Sequence, residues 1–248
     1  MQNPIAKIKR LYEEIQEIRQ IPRTSINLMV ETAKDNPFYR DLTLEYYKEA
    51  RQPHPKFLFI RQMEWGVALC ILPEKFDDYF MLLEGAARRN YKKAKRLEYH
   101  FAELDYNNHL DEVTAIHHST ETRQGKLPED FVKYAATPHS NPPSLDSDHA
   151  YPYFGVFNKE GTLIAYASCF IAGEYCNIQR IYGHAGYQSD GCVPLLIISI
   201  AEYLYQHYPK VTHYAYGTYY GASQTMQRFK RKFHFLPHRV EWKLQSDQ

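Results

Sequence analysis

The sequence predicts an α+β fold: a mixed, mostly antiparallel sheet flanked by helices, behind a helical N-terminal region. Two observations carry this. "YPYFGVFN", "TLIAYASCFIAG" and "EYCNIQRIYGHAG" are apolar runs separated by short turns, the pattern of an antiparallel meander. "CVPLLIISIAEYLYQHY" is a helix apolar on most sides, which a sheet has to bury. The 22 Tyr and 13 Phe supply large side chains for such a core.

In chain order, residues 4–20 read as an amphipathic helix, with Ile5, Ile8, Leu11, Ile15 and Ile18 at helical spacing. "INLMVETAKDNPFYRDLTLEYYKEARQ" is a looser helical region broken at Pro37. "KFLFIRQ" (56–62) and "GVALCIL" (66–72) are read as a hairpin. Pro73 then opens a helix over about residues 74–95, acidic early and basic late, as its dipole favours. "LEYHFAEL" (97–104) is a strand, residues 108–120 a helix, and a short helix follows near "PEDFVKYA". After the meander and the apolar helix come a strand at "KVTHYAYG", a helix at "ASQTMQRFKRK" and a last strand at "FLPHRVEWKL". The chain is divided into an N-terminal helical and hairpin region, 1–96, and a second domain, 97–248.

Composition excludes several classes. Net charge is +1, so any anion site is a local cluster rather than a property of the whole surface. The four cysteines, Cys70, Cys169, Cys176 and Cys192, show no C-x-x-C spacing and read as buried thiols of a reducing compartment. No run approaches the 18 apolar residues of a membrane span, and the charged N-terminus is unlike a signal peptide. The expectation is a soluble, cytoplasmic protein with no membrane insertion.

Four stretches carry candidate chemistry. "GYQSDGCVPLL" (186–196) joins a strand to the apolar helix, whose free N–H groups suit a phosphate. A Gly-containing turn capped by Ser189 or Asp190 accounts for it equally. "ARRNYKKAKR" (87–96) packs six bases into ten residues, either a solvated face or an anion grip. "HLDEVTAIHHSTETRQGK" (109–126) has an apolar stripe of Leu110, Val113 and Ile116. Its adjacent His117 and His118 diverge on a helix and do not share one metal, so no metal site is expected. In "YGTYYGASQTMQRFKRKFHF" (216–235), Phe229 and Phe233 lie one turn apart, so Lys230 is expected beside them, facing a cleft.

The order of elements from residue 97 resembles the GNAT acyltransferase fold. The stretches, taken in order, resemble the Fem aminoacyltransferases and the exopolysaccharide-type acyltransferases. The "ARRNYKKA" turn, the stripe ending in His117, and the Phe229-Lys230 and Phe233 pattern carry the resemblance, with His234 where glycine is usual. Gln188 and Gly191 match part of the GNAT pyrophosphate loop, while Val193 and Asp190 depart from it, and Asp190 is expected to face the phosphates.

The resemblance implies an acyl or aminoacyl group moved from acyl-CoA or aminoacyl-tRNA to an amine or hydroxyl by direct attack. No cofactor is held tightly; the donor, and with it tRNA, is the partner. Lys230 and Arg123 are then expected to anchor donor phosphates, with Gln188 and Gly191 at the donor loop. Gln179, Tyr216 and Tyr220 are expected to line the cleft, and His184 is a candidate general base. The alternative is a non-catalytic RNA-binding or scaffold protein on a degenerate GNAT fold.

Overall fold

The computed structural model describes residues 20–53, 61–120, 129, 133–220 and 222–245. The predicted N-terminal helix, most of the "KFLFIRQ" run, most of the helix near "PEDFVKYA" and the candidate Arg123 lie outside these residues.

The described residues build one nine-stranded sheet. The strands are β1 (Arg23–Asn27), β2 (Trp65–Ile71), β3 (His100–Glu103), β4 (His149–Ala150), β5 (Tyr153–Phe157), β6 (Leu163–Ala172), β7 (Tyr175–Gly183), β8 (His213–Thr218) and β9 (Leu236–Lys243). Their order is β1-β9-β2-β8-β7-β6-β5-β3, with β4 on β6. Only β1–β9 and β7–β8 pair in parallel. The meander is β5, β6 and β7, as the runs predict.

All ten residues of β6 are buried, because both faces of the sheet are covered there. Ala165, Ala167 and Cys169 join the cluster built on α5 (Cys192–His207), the apolar helix. Tyr166 belongs instead with α4 (Leu110–His118), where its hydroxyl meets His117 Nε2 at 2.6 Å. Phe170 packs under α1 (Pro37–Ala50), stacked on Tyr46 at 4.6 Å. Pro37 starts this helix rather than breaking one, since a first-turn proline forfeits no helical hydrogen bond. Ile26 and Asn27, read as helical from sequence, lie in β1.

One further expectation is corrected. The helix over 74–95 is two helices, α2 (Phe76–Leu82) and α3 (Gly85–Arg96). Leu83 and Glu84 between them are extended, and the Glu84 N–H donates to the Lys232 carbonyl at 3.0 Å instead of continuing a helix. β2 pairs with β8 and β9, both antiparallel, while most of the run expected to form a hairpin with it lies outside the described residues. Through β1 and β2 the sheet crosses the boundary drawn at residue 96.

The last helix, α6 (Gln224–Lys232), is capped by Ser223, which accepts from Met226 N–H at 3.2 Å. It ends at His234, whose φ of 62° is left-handed, and Phe235 N–H closes the end on the Lys230 carbonyl at 3.0 Å. That conformation explains why glycine suits this position. No helix among the described residues is long and apolar enough to cross a membrane.

Candidate functional site

β7 and β8 run together for only three register pairs, Tyr175–His213, Cys176–Tyr214 and Asn177–Ala215. Beyond these, β7 stays with β6 as far as Gly183, while β8 follows β2 to Thr218. The strands part, and a gap opens at the middle of the sheet. Two local features shape it. Arg180 pairs with Ser168 and Ile178 with Cys169, so Gln179 is the extra residue of a bulge, which re-aims a strand. Asn177 Oδ1 accepts from Gly217 N–H at 3.1 Å, tying the strands where they diverge. Gly217 has φ 57°, open to glycine without strain.

A cavity of about 460 Å³ fills the gap. Gln179, Tyr216 and Lys230, three of the residues singled out from the sequence, line it together. Lys230 is the one buried residue of α6, at 5% exposure. Its Nζ donates to the Thr218 carbonyl at 2.7 Å and lies 4.8 Å from the centre of the Tyr216 ring. Burial lowers its ammonium to about 8. Burial pushes the Tyr216 phenol up to about 12, so it remains a donor at neutral pH. The roles expected of the two phenylalanines separate: Phe233 is buried at 1% exposure, whereas Phe229 is only partly buried.

The other candidates sit elsewhere. His184 follows the end of β7 and caps a short turn, its Nδ1 accepting from Gly186 N–H at 3.1 Å; it does not line the cavity. Tyr220 packs on Gly66, where a Cβ would come within 2.2 Å of its ring. Gln188 is exposed in the turn before α5. Gly191, with φ 87°, lies against α3, and a Cβ there would come within 2.4 Å of the Asn90 carbonyl oxygen. Asp190 is not turned toward an open phosphate position. It pairs with Lys93 at 2.8 Å and accepts from Tyr99 at 3.2 Å, and Lys93 holds its carboxyl below the usual range.

Among the lining residues that escaped the sequence reading, two carry polar groups that matter here. Asn177 was visible as a buried polar residue inside an apolar strand run, a signal for a structural or functional polar contact. Glu49, near the end of α1, supplies the one carboxylate among the described residues of the lining. Nothing local in its helix marked it.

No family model matches the sequence, and no curated protein matches it. Among solved structures, FemX superposes with a TM-score of 0.57 over 94% of this chain and 74% of its own, at 10% identity. The chain shares the fold of FemX. The C-terminal DUF2156 domain of an Agrobacterium fabrum protein gives a TM-score of 0.46 at 16% identity, and L-PGS from Bacillus licheniformis gives 0.45 at 14%. This chain covers 57% of the length of each of those two, and 70% of it takes part in each match.

Proposed function

We propose that the chain is an acyl- or aminoacyltransferase working in the gap between β7 and β8. The buried Lys230 ammonium carries this reading. Its Nζ sits where β7 and β8 part, with a carbonyl but no carboxylate partner among the described residues, and a buried cation without a counter-charge costs free energy, which favours a functional role. The motif resemblance and the fold shared with FemX support the same reading.

The acceptor amine or hydroxyl attacks the donor's carbonyl carbon, and a new C–N or C–O bond forms. The carbonyl oxygen gains negative charge, which Lys230 stabilises as a donor already in place, with Gln179 and the Tyr216 hydroxyl beside it. Glu49, brought to the cavity by α1, takes the acceptor's proton, directly or through one water. The tetrahedral centre collapses, the bond to the donor's leaving oxygen or sulfur breaks, and the leaving group takes up the proton that Glu49 received.

Aminoacyl-tRNA fits the donor position better than acyl-CoA. A diphosphate would have to reach the start of α5, but Gly191 and Cys192 are buried and α3 lies on them. The test is a thermal-shift screen with CoA thioesters, aminoacyl-tRNA and uncharged tRNA, followed by donor turnover with simple amines. Stabilisation by aminoacyl-tRNA, and turnover lost in Lys230→Met, are expected. Stabilisation by tRNA with no turnover under any acceptor would return the chain to a non-catalytic RNA-binding role.

A further inference from the structure

A second cavity, of about 730 Å³, opens where β1 borders β9, and it shares no lining residue with the transfer cleft. Arg23 of β1, Arg51 just past α1, Arg61, and Arg239 of β9 all line it. Arg239 alone has a carboxylate partner among the described residues: its Nε and Nη2 donate to Glu64 Oε1 at 3.1 and 2.8 Å. Arg23 stands in register with Arg239 on the neighbouring strand, a like-charge pairing that is unfavourable unless an anion lies between them.

The guanidinium groups are also held in place. Arg51 lies over the Tyr47 ring at 4.9 Å, and Arg239 over the Trp65 ring at 4.2 Å. Arg61 donates to the Arg51 carbonyl at 3.1 Å. Arg239 already spends Nε and Nη2 on Glu64, and Arg51 Nη1 meets the Tyr47 hydroxyl, but each guanidinium carries five N–H donors, so others remain for an oxyanion, and stacking limits the freedom lost on binding.

We propose that this basin binds an oligophosphate anion, either free pyrophosphate or the diphosphate of a nucleotide. One carboxylate satisfies a single arginine fork, whereas four arginines lining one basin call for an anion with several oxygens and more than one negative charge. The volume suits a ligand of nucleotide size. Glu241 is the remaining acid of the lining; it is exposed and opposes Ser25, so it weakens the field without blocking the basin.

The site stands apart from the transferase reading and is tested apart from it. The chain is titrated calorimetrically at low salt with orthophosphate, pyrophosphate and ADP. Pyrophosphate is expected to bind at least about tenfold tighter than orthophosphate, because it engages more than one fork. Arg51→Gln with Arg61→Gln, both exposed positions, should weaken pyrophosphate by about tenfold or more with melting unchanged. Glu241→Gln should tighten it by about two- to fivefold through the lost repulsion. ADP equal to pyrophosphate assigns the site to phosphate alone, and tighter ADP assigns it to a nucleotide. Pyrophosphate no tighter than orthophosphate, or affinity unmoved by the double variant, overturns the proposal. If the double variant does not fold, Glu241→Gln decides alone, and an unchanged affinity there refutes it.

Discussion

Lys230→Met separates the charge of Lys230 from its volume. Burial lowers the ammonium from its ordinary 10.5 to about 8, a difference of about 2.5 pH units, or about 3 kcal/mol of penalty at pH 7 for keeping the group charged in the folded chain. The group is 5% exposed, so solvent screening discounts this little. The sign follows from proton binding. Between about 8 and 10.5 the unfolded chain holds the proton more tightly than the folded one, so stability from this group rises with pH across that window. Methionine removes the penalty but leaves the Thr218 carbonyl without its 2.7 Å donor, a loss of about 1–3 kcal/mol. The variant should therefore be as stable as wild type at pH 7, or more stable by about 1–2 kcal/mol. The difference should move by about 2 kcal/mol in favour of wild type between pH 7 and 9.5. Urea unfolding of both proteins at several pH values measures it. A difference flat across that range would mean that Lys230 titrates as an exposed lysine, and the electrostatic role assigned to it would fall.

The remaining expectations follow from single contacts. Transfer by wild type should decline above about pH 8 as the Lys230 ammonium is lost, and a rate still rising at pH 9 would contradict its role as a cation. Glu49→Gln should slow turnover by about 10²–10⁴-fold with binding of the donor retained, read from single-turnover kinetics. His234→Gly should stabilise the fold by about 1 kcal/mol, since φ of 62° strains any residue but glycine; an unchanged urea midpoint would count against strain at that helix end. Gly191→Ala should destabilise by more than about 2 kcal/mol, because the new Cβ would overlap the Asn90 carbonyl and φ is 87°. Changing Arg88, Lys92 and Lys95 together to Gln should flatten the salt dependence of tRNA binding if α3 touches phosphates, and identical slopes would leave α3 a solvated face.

What the sequence disclosed, and what it hid, divides along local and distant causes. The meander and α5 were legible because their apolar runs state their own burial. The break between α2 and α3 was not, because it is made by a hydrogen bond from Glu84 to Lys232, far along the chain. The neighbours of β2 were hidden for the same reason: it lies between β8 and β9, strands more than a hundred residues later. Lys230, Tyr216 and Gln179, singled out through a motif and a strand position, line one cavity. Glu49 was hidden because α1 reaches that cavity only once β1 and β2 have joined the sheet. His184 lies outside that cavity and takes the structural alternative open to such a residue. A polar residue at a strand end satisfies its own turn more readily than it serves a cleft.

The contact between α3 and the start of α5 decides how the rest of the surface is read. Lys93 is drawn to Asp190 and the Ser189 carbonyl, at 2.8 and 2.9 Å, so the bases of α3 are not all free for solvent or ligand. That pair uses one basic residue to fix α3 over the turn that the GNAT resemblance makes the expected diphosphate position. The same packing directs Lys92 and Lys95 outward, where they are exposed. On the proposed reading, a donor reaches Lys230 past the parted ends of β7 and β8 rather than over the α5 terminus. A long donor held by its backbone outside the cleft, with only its acyl end inside, meets that requirement. Lys93→Ala tests the point: it should loosen Asp190 and α3 together, opening the α5 terminus. If the Lys93→Ala chain then gains CoA binding that wild type lacks, α3 is the element that excludes CoA. If CoA binds both proteins alike, exclusion by α3 is wrong and the donor argument built on it goes with it.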